Sequence, residues 1–422
     1  MGGVAVRDRQ SRRLRTAHPR LQRARGHPPR TAAGRPTALA RSRRRSLRRH
    51  RRLVPDDGRL AVLPRVRGRG QACPHFPHSG QARDSHGAAR WVDEPGSVGM
   101  AAGEVSMTNP NGQLMITYRC SAACRHCLVM AEPEQERTVM SVEDAVRWGL
   151  EYAKLGRHVM IAGGEALLFY KQVLAMCAAL KARGVPVAFI ESNGSWCRSD
   201  ELTKRRLTRL REAGVEGMYF SVDPYHQEFV PAERVCRGSR IAKELFGEDQ
   251  VYAPNPTLEE AGDLEIVAGD PERLREYARS RRVSFIGRAA DALTGFADPV
   301  PLAGLLEQDC RKDLDVDHLR EIQVDPFGFV RPDMCPGVNL GNANQQPLAE
   351  LGCTQRVCEV LLLRELAERG PASLLPLAEP AGFKPRSTYA SKCHLCFEIR
   401  RHLVRRMPDE LGPPHAYALV RG

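Results

Sequence analysis

The chain has 422 residues and a formal net charge of +14, room for one large barrel-like domain and a small one. The charge is local: residues 1–99 hold 24 Arg, no Lys and 6 acids, a net of +18 that leaves −4 for the rest, so the remainder is slightly acidic and nucleic acid is not an expected partner. No apolar run approaches the length that spans a bilayer, and no signal peptide with an apolar core precedes the region from Gln113, which predicts a cytoplasmic protein without a membrane partner.

Residues 1–106 read as an Arg/Pro-rich disordered extension, because such sequence buries too little apolar surface to offset chain entropy. Residues 1–99 also lack Ile, Asn and Tyr, which the rest of the chain uses freely, so two compositional regimes meet near Met100. A basic arm, a transit peptide, and an over-extended gene start with translation from Met100 or Met107 are the readings of that boundary.

From Gln113 onward, short β-rich runs alternate with helical patterns, as in βα units on a parallel sheet. Strands are predicted at 114–118, 158–162, 187–191, 218–222, 251–253 and 283–286. Ser141 caps the first helix with Asp144 in its first turn, and Val142, Ala145, Trp148, Gly149 and Tyr152 form its apolar stripe. Asp200 is the expected cap of the third helix. Six units predict an α/β fold, a (β/α)6 partial TIM barrel over residues 107–300. A small α+β cluster-binding domain over 301–407 and a tail at 408–422 follow.

Cys120, Cys124 and Cys127 stand in a CxxxCxxC run just after the first strand. Three thiolates on one short loop can hold three corners of a 4Fe-4S cube and leave the fourth iron open to a small molecule. A closed zinc site would need His126 as well. Gly163-Gly164-Glu165, Ser192-Asn193-Gly194, Ser221-Val222-Asp223 and Gly287-Arg288-Ala289 follow in order, most of them at carboxyl ends of predicted strands, where parallel βα folds gather catalytic groups.

This ordered set resembles the radical S-adenosylmethionine (radical SAM) superfamily, with His126 at its aromatic position before the last cysteine. The resemblance implies that S-adenosylmethionine binds the open iron and is cleaved reductively to a 5'-deoxyadenosyl radical, which abstracts hydrogen from a substrate. Cofactor contacts are then expected from Gly163, Gly164 and Glu165 near the methionine amine, with Glu165 touching the amine or supporting the loop. Ser192, Asn193, Ser221 and Asp223 are expected at the ribose or carboxylate, and Arg288 at the cofactor carboxylate or an acidic loop. His226 is a candidate proton-transfer group. Cys197, just beyond a strand end, is a candidate hydrogen donor, as in some peptide epimerases of the superfamily.

Farther on lie Cys310, Cys335, and Cys393 with Cys396, able to close a second cluster without an open iron or a structural zinc site. Residues 323–330 read as a β-hairpin that delivers Cys335. This region resembles the twitch domain, a shortened relative of the SPASM domain, which implies a second 4Fe-4S cluster. The expected partners are a peptide, or else a small alcohol or amino sugar, and an electron donor such as flavodoxin or ferredoxin. A non-catalytic zinc scaffold is the reading from another class.

Overall fold

Strand β1 (Asn111–Met115) is the hub of the protein, paired in parallel on both sides. The computed structural model describes residues 110–253, 258–280 and 283–417, all inside one compact unit, Gln71–Gly422. The extension predicted at 1–106 and the last residues of the predicted tail, 418–422, lie outside the described residues.

After β1 the chain crosses through α1 (Val142–Lys154) to β2 (His158–Ala162), then α2 (Tyr170–Lys181) and β3 (Phe189–Ser192). It continues through α3 (Asp200–Glu212), β4 (Met218–Phe220), the short α4 (Pro224–Gln227), α5 (Ala232–Phe246) and β5 (Val251–Tyr252). Helices α6 (Leu258–Gly269), α7 (Pro271–Ser280) and α8 (Ala289–Ala292) come next. Strand β6 (Val300–Pro301) pairs antiparallel with Thr388–Tyr389, and β7 (Glu321–Val324), β8 (Phe329–Pro332) and β9 (Gly341–Asn342) return to the main sheet. The sheet order is β5-β4-β3-β2-β1-β7-β8-β9, parallel from β5 to β7 and antiparallel beyond.

The α/β architecture with a parallel sheet is the expected one, with one substitution of parts. Residues 283–286 form no strand; the sixth parallel strand is β7, from the region assigned to the second domain. The cause is a long-range contact: Gly287 and Arg288 are drawn onto the cysteine loop, where Arg288 N–H donates to the Cys127 carbonyl at 3.0 Å.

Local sequence explains the elements that hold the sheet. Ser141 Oγ accepts from Asp144 N–H at 2.9 Å, and Ala145, Trp148, Gly149 and Tyr152 are buried on one face of α1. That face lies directly on β1, since a Cβ on Gly112 would sit 2.3 Å from the Tyr152 ring. The cap of α3 is Ser199, which accepts from Leu202 N–H at 3.3 Å, rather than Asp200. Asp200 stands in the first turn, where its charge still suits the helix N-terminus, and pairs with Arg237 and Arg240.

The hairpin of β7 and β8 turns on Asp325. Its Oδ1 accepts from Phe327 and Phe329 N–H at 2.9 and 3.0 Å, and its Oδ2 accepts from Tyr118 Oη at 2.9 Å. Burial pushes this carboxyl from 3.8 to about 6 despite those donors. A raised folded-state pKa means stability that is full below about pH 4 and lost as pH rises through about 6. Asp325→Asn is expected to remove that loss, so urea titrations at pH 4 and pH 7 should show the variant gaining on the natural protein by on the order of 3 kcal/mol.

Candidate active site

Three backbone segments converge on the cysteine loop that follows β1. Cys120 N–H donates to the Glu132 carbonyl at 3.1 Å, and Cys127 N–H to the Cys124 carbonyl at 3.1 Å, so the loop is closed by its own hydrogen bonds. Gly164 N–H donates to Thr117 at 2.8 Å and Glu165 N–H to Arg119 at 3.0 Å, extending the β1–β2 ladder up to the first cysteine. A Cβ on Gly164 would meet Arg119 O at 2.3 Å, and one on Gly287, at φ +59°, would meet Cys127 O at 2.3 Å. The glycines of both motifs are thus required by the loop itself.

Arg288 completes the clamp. Its guanidinium donates to the carbonyls of Cys124 (2.9 Å) and Ala131 (3.0 Å) and pairs with Glu132 at 3.2 Å, so of its two expected partners the loop is the one in contact. Glu165, also buried, likewise supports a loop: its carboxylate accepts from Leu167 N–H, Asn193 N–H and Ser192 Oγ. Burial lifts it to about 7 against those donors.

Ser192 Oγ, besides donating to Glu165, accepts from Trp196 Nε1 at 2.8 Å and Gly194 N–H at 3.1 Å, which makes it an internal fastening. Asn193 reaches the cysteines instead, with Nδ2 3.1 Å from Ser121 Oγ and 3.6 Å from Cys120 Sγ. Ser221 is half-buried at the end of β4, bonded through its N–H to Ser192 O at 3.0 Å.

Asp223 gathers two histidines. Its Oδ2 lies 2.6 Å from His226 Nδ1 and 3.3 Å from His126 Nε2, and His126 stacks on Tyr225 with centroids 4.8 Å apart. Burial opposes the Asp223 charge, but the two histidines outweigh it and hold the carboxyl well below its usual range. His226 moves the other way: burial would lower it, yet Asp223 and then Cys124 raise it well above its ordinary value. One ligand atom each from Cys124, His126 and His226 lie within 4.8 Å of one another.

Cys197 is not brought to this mouth. It is fully buried under α5, where a Cβ on Gly238 would meet its Sγ at 2.8 Å, and burial pushes the thiol up to about 12. The hydrogen-donor expectation therefore meets a core position. In the C-terminal region the thiols of Cys310, Cys335, Cys393 and Cys396 do come together: each of Cys335, Cys393 and Cys396 raises Cys310 electrostatically, after burial. Arg400, buried beside them, bonds Cys396 and donates to Pro336 O at 2.7 Å.

Residues 114–245 match the Radical SAM superfamily. The chain carries a radical SAM domain. Solved structures with similarity to this chain include BtrN in complex with AdoMet and 2-DOIA, at 13% identity and a TM-score of 0.37, covering 62% of this chain and 89% of that one. Another is anSMEcpe with bound AdoMet, at 12% identity and 0.35, covering 71% and 98%. Streptococcus suis SuiB bound to S-adenosylmethionine, at 13% and 0.30, covers 58% and 65%. Scores of this size carry no argument of their own. No curated protein matches the sequence.

The cysteine loop fits the cluster that the domain implies. Burial, followed by the neighbouring charges, raises the Cys120 and Cys127 thiols, so they wait for a cation before ionising. Donors already face the sulfurs, Ala131 N–H at 3.3 Å from Cys127 and Asn193 at Cys120. A single ion on Cys124, His126 and His226 would leave Cys120 and Cys127 unused.

Sequence reading missed two features of the site. The His126–Asp223–His226 link was hidden because His126 is far in the chain from Asp223 and His226. The polar row Gln113, Glu191, Glu321, Gln323 and Arg331 was legible as polar residues at alternate positions in strands, a signal passed over in favour of the cysteines. Arg288→Met is expected to cost about 1.5–3 kcal/mol by removing the ion pair with Glu132 and the donors to two loop carbonyls. It should also lower iron retained per chain after anaerobic reconstitution. Unchanged iron content and urea midpoint would show that the clamp does not hold the loop.

Proposed function

We propose that the enzyme holds a 4Fe-4S cluster on Cys120, Cys124 and Cys127, cleaves S-adenosylmethionine reductively and uses the 5'-deoxyadenosyl radical to abstract hydrogen from a peptide substrate. A second 4Fe-4S cluster sits on Cys310, Cys335, Cys393 and Cys396 in a twitch-like region, and electrons come from a flavodoxin- or ferredoxin-type donor in a reducing cytoplasm. When bound, the first cluster supplies the electron that breaks the sulfonium C–S bond.

The chain's own residues hold and shield that centre. Arg288 and the two glycine turns fix the loop, Asn193 and His226 place donors at Cys120 and Cys124, and Asp223 keeps His226 oriented and charged. Ser221 and Asp223 follow β4, where the cofactor wall is expected.

The gathering of the four C-terminal thiols carries the second-cluster reading. In a tetrahedral zinc site, Zn–S bonds of about 2.3 Å hold sulfurs roughly 3.8 Å apart. Four thiolates suit either metal, and the family resemblance of the region favours a cluster.

Iron, sulfide and zinc analysis of anaerobically purified protein tests both sites. Roughly eight irons per chain are expected, falling to about four in both Cys124→Ala and Cys335→Ala, by cluster stoichiometry. 5'-Deoxyadenosine formation should vanish in Cys124→Ala and not in Cys335→Ala. Zinc on the C-terminal thiols of the natural protein would overturn the second cluster, and cleavage surviving in Cys124→Ala would overturn the first.

A further inference from the structure

The inner face of the sheet carries charge that the cluster chemistry does not use. Strand register puts Gln113 beside Met160 and Gln323, Met160 beside Phe189, Glu191 beside Tyr219, Tyr219 beside Tyr252, and Gln323 beside Arg331. Two neighbouring rows on one face result, Arg331, Gln323, Gln113, Met160 and Phe189 in the first and Glu191, Tyr219 and Tyr252 in the second, two residues along the strands. A Cβ on Gly112 points into the α1 ring of Tyr152, so Gln113 and its row face away from the helices.

Three carboxylates share this face. Gln113 and Gln323 both donate to Glu321 Oε1 at 3.3 Å, and Gln323 also donates to Asp333 Oδ1 at 2.5 Å. Glu191 lies on the same face four strands away, and after burial the Asp333 charge raises its pKa. Glu191, Glu321 and Asp333 are half-buried and reach solvent, while Arg331 is the guanidinium among them, its Nη2 turned 3.2 Å from Met115 Sδ.

The second observation is an unmet acceptor. Gln323 is 5% exposed, and with its N–H groups spent on the two carboxylates its Oε1 is buried without a partner. A carbonyl oxygen among carboxylates calls for a donor that is also a cation. A bare divalent ion is a poor match, because these carboxylates are not among the groups whose ligand atoms close within 4.8 Å. The acids are strung along the face, which suits a ligand with length of its own. Phe189 ends the first row and Tyr219 and Tyr252 end the second, with Tyr219 and Tyr252 centroids 4.8 Å apart, and such ring faces attract organic cations.

We infer that this face binds a primary ammonium group of the substrate at Glu321, Asp333 and the Gln323 carbonyl, with the Glu191 charge and the aromatic side chains farther along the face for the rest of the ligand. Electrostatics agree: burial, then Asp333 and Glu191, push Glu321 well above the usual carboxylate range, and Glu191 rises to about 7. A bound cation relieves this. The inference rests on the radical SAM reading for its place in the reaction, and it narrows the substrate to an amine, whether a lysine side chain of a peptide or an amino sugar.

Equilibrium binding tests it apart from catalysis. Full-length reconstituted protein with S-adenosylmethionine is titrated, by thermal shift, with three pairs: n-butylammonium and 1-butanol, glucosamine and glucose, and a capped Ala-Lys-Ala peptide and its norleucine analogue. At least one amine is expected to bind at least tenfold tighter than its neutral partner, and Glu191→Gln and Asp333→Asn should each weaken it tenfold or more. A preference for the lysine peptide or for glucosamine identifies the source of the amine. Equal affinity for charged and neutral partners, no binding, or full affinity in both variants overturns the inference. Because 5'-deoxyadenosine formation is read separately, loss of cleavage with amine binding intact would sink the radical reading and leave the ammonium site standing.

Discussion

Backbone pressed on backbone fixes the cysteine loop, and the rest of the site depends on that contact. At Gly164 and Gly287 a single added carbon would collide with a loop carbonyl at 2.3 Å. Neither collision involves a flexible side chain that could swing aside, so the geometry is stiff by construction. Arg288 then ties three carbonyl and carboxylate oxygens of the same loop to one planar cation. The thiols are placed before any metal arrives, which lowers the ordering cost of binding one.

The same strand that launches the loop also joins the two halves of the sheet. β1 pairs with β2 on one side and with β7 on the other, and the β7–β8 hairpin leads on to Cys335. Tyr118, two residues before Cys120, donates to Asp325 at the hairpin turn and stacks with Phe327 and His415. The C-terminal cysteines are therefore fastened to the first loop through covalent chain and buried hydrogen bonds. Residues 408–417, expected as a tail, join this fastening: Tyr417 is buried and donates to Gly337 O at 2.7 Å.

Much of this was legible in the sequence because the signals were local. The Ser141 cap, the α1 stripe and β2 fall where periodicity put them, and the cysteine spacing needs only a few neighbouring residues to be read. Errors arose where long-range contact decides. Residues 283–286 have strand-like composition, but the pull of Gly287 and Arg288 on the loop overrides it, and β7 takes the open edge of β1. Cys197 sits near a strand end yet turns inward, a direction that depends on how α5 packs. The roles of Glu165 and Ser192 were likewise ambiguous, since a polar residue at a strand end reads the same whether it faces a ligand or braces a turn.

The inner row of the sheet presents the opposite case, where the sequence broke a rule openly. Parallel strands covered on both faces usually carry apolar side chains throughout. Here the strands place Gln113, Glu191, Glu321, Gln323 and Arg331 on one face, while Leu114, Ile161, Ile190 and Ile322 on the other are fully buried. Several of those polar groups pay desolvation without full pairing, as the lone Gln323 oxygen and Arg331 Nε show. Apolar replacements would pack this face with less cost to stability. A fold that retains these acids on one face of its parallel sheet has shaped that side for something that brings the missing charge.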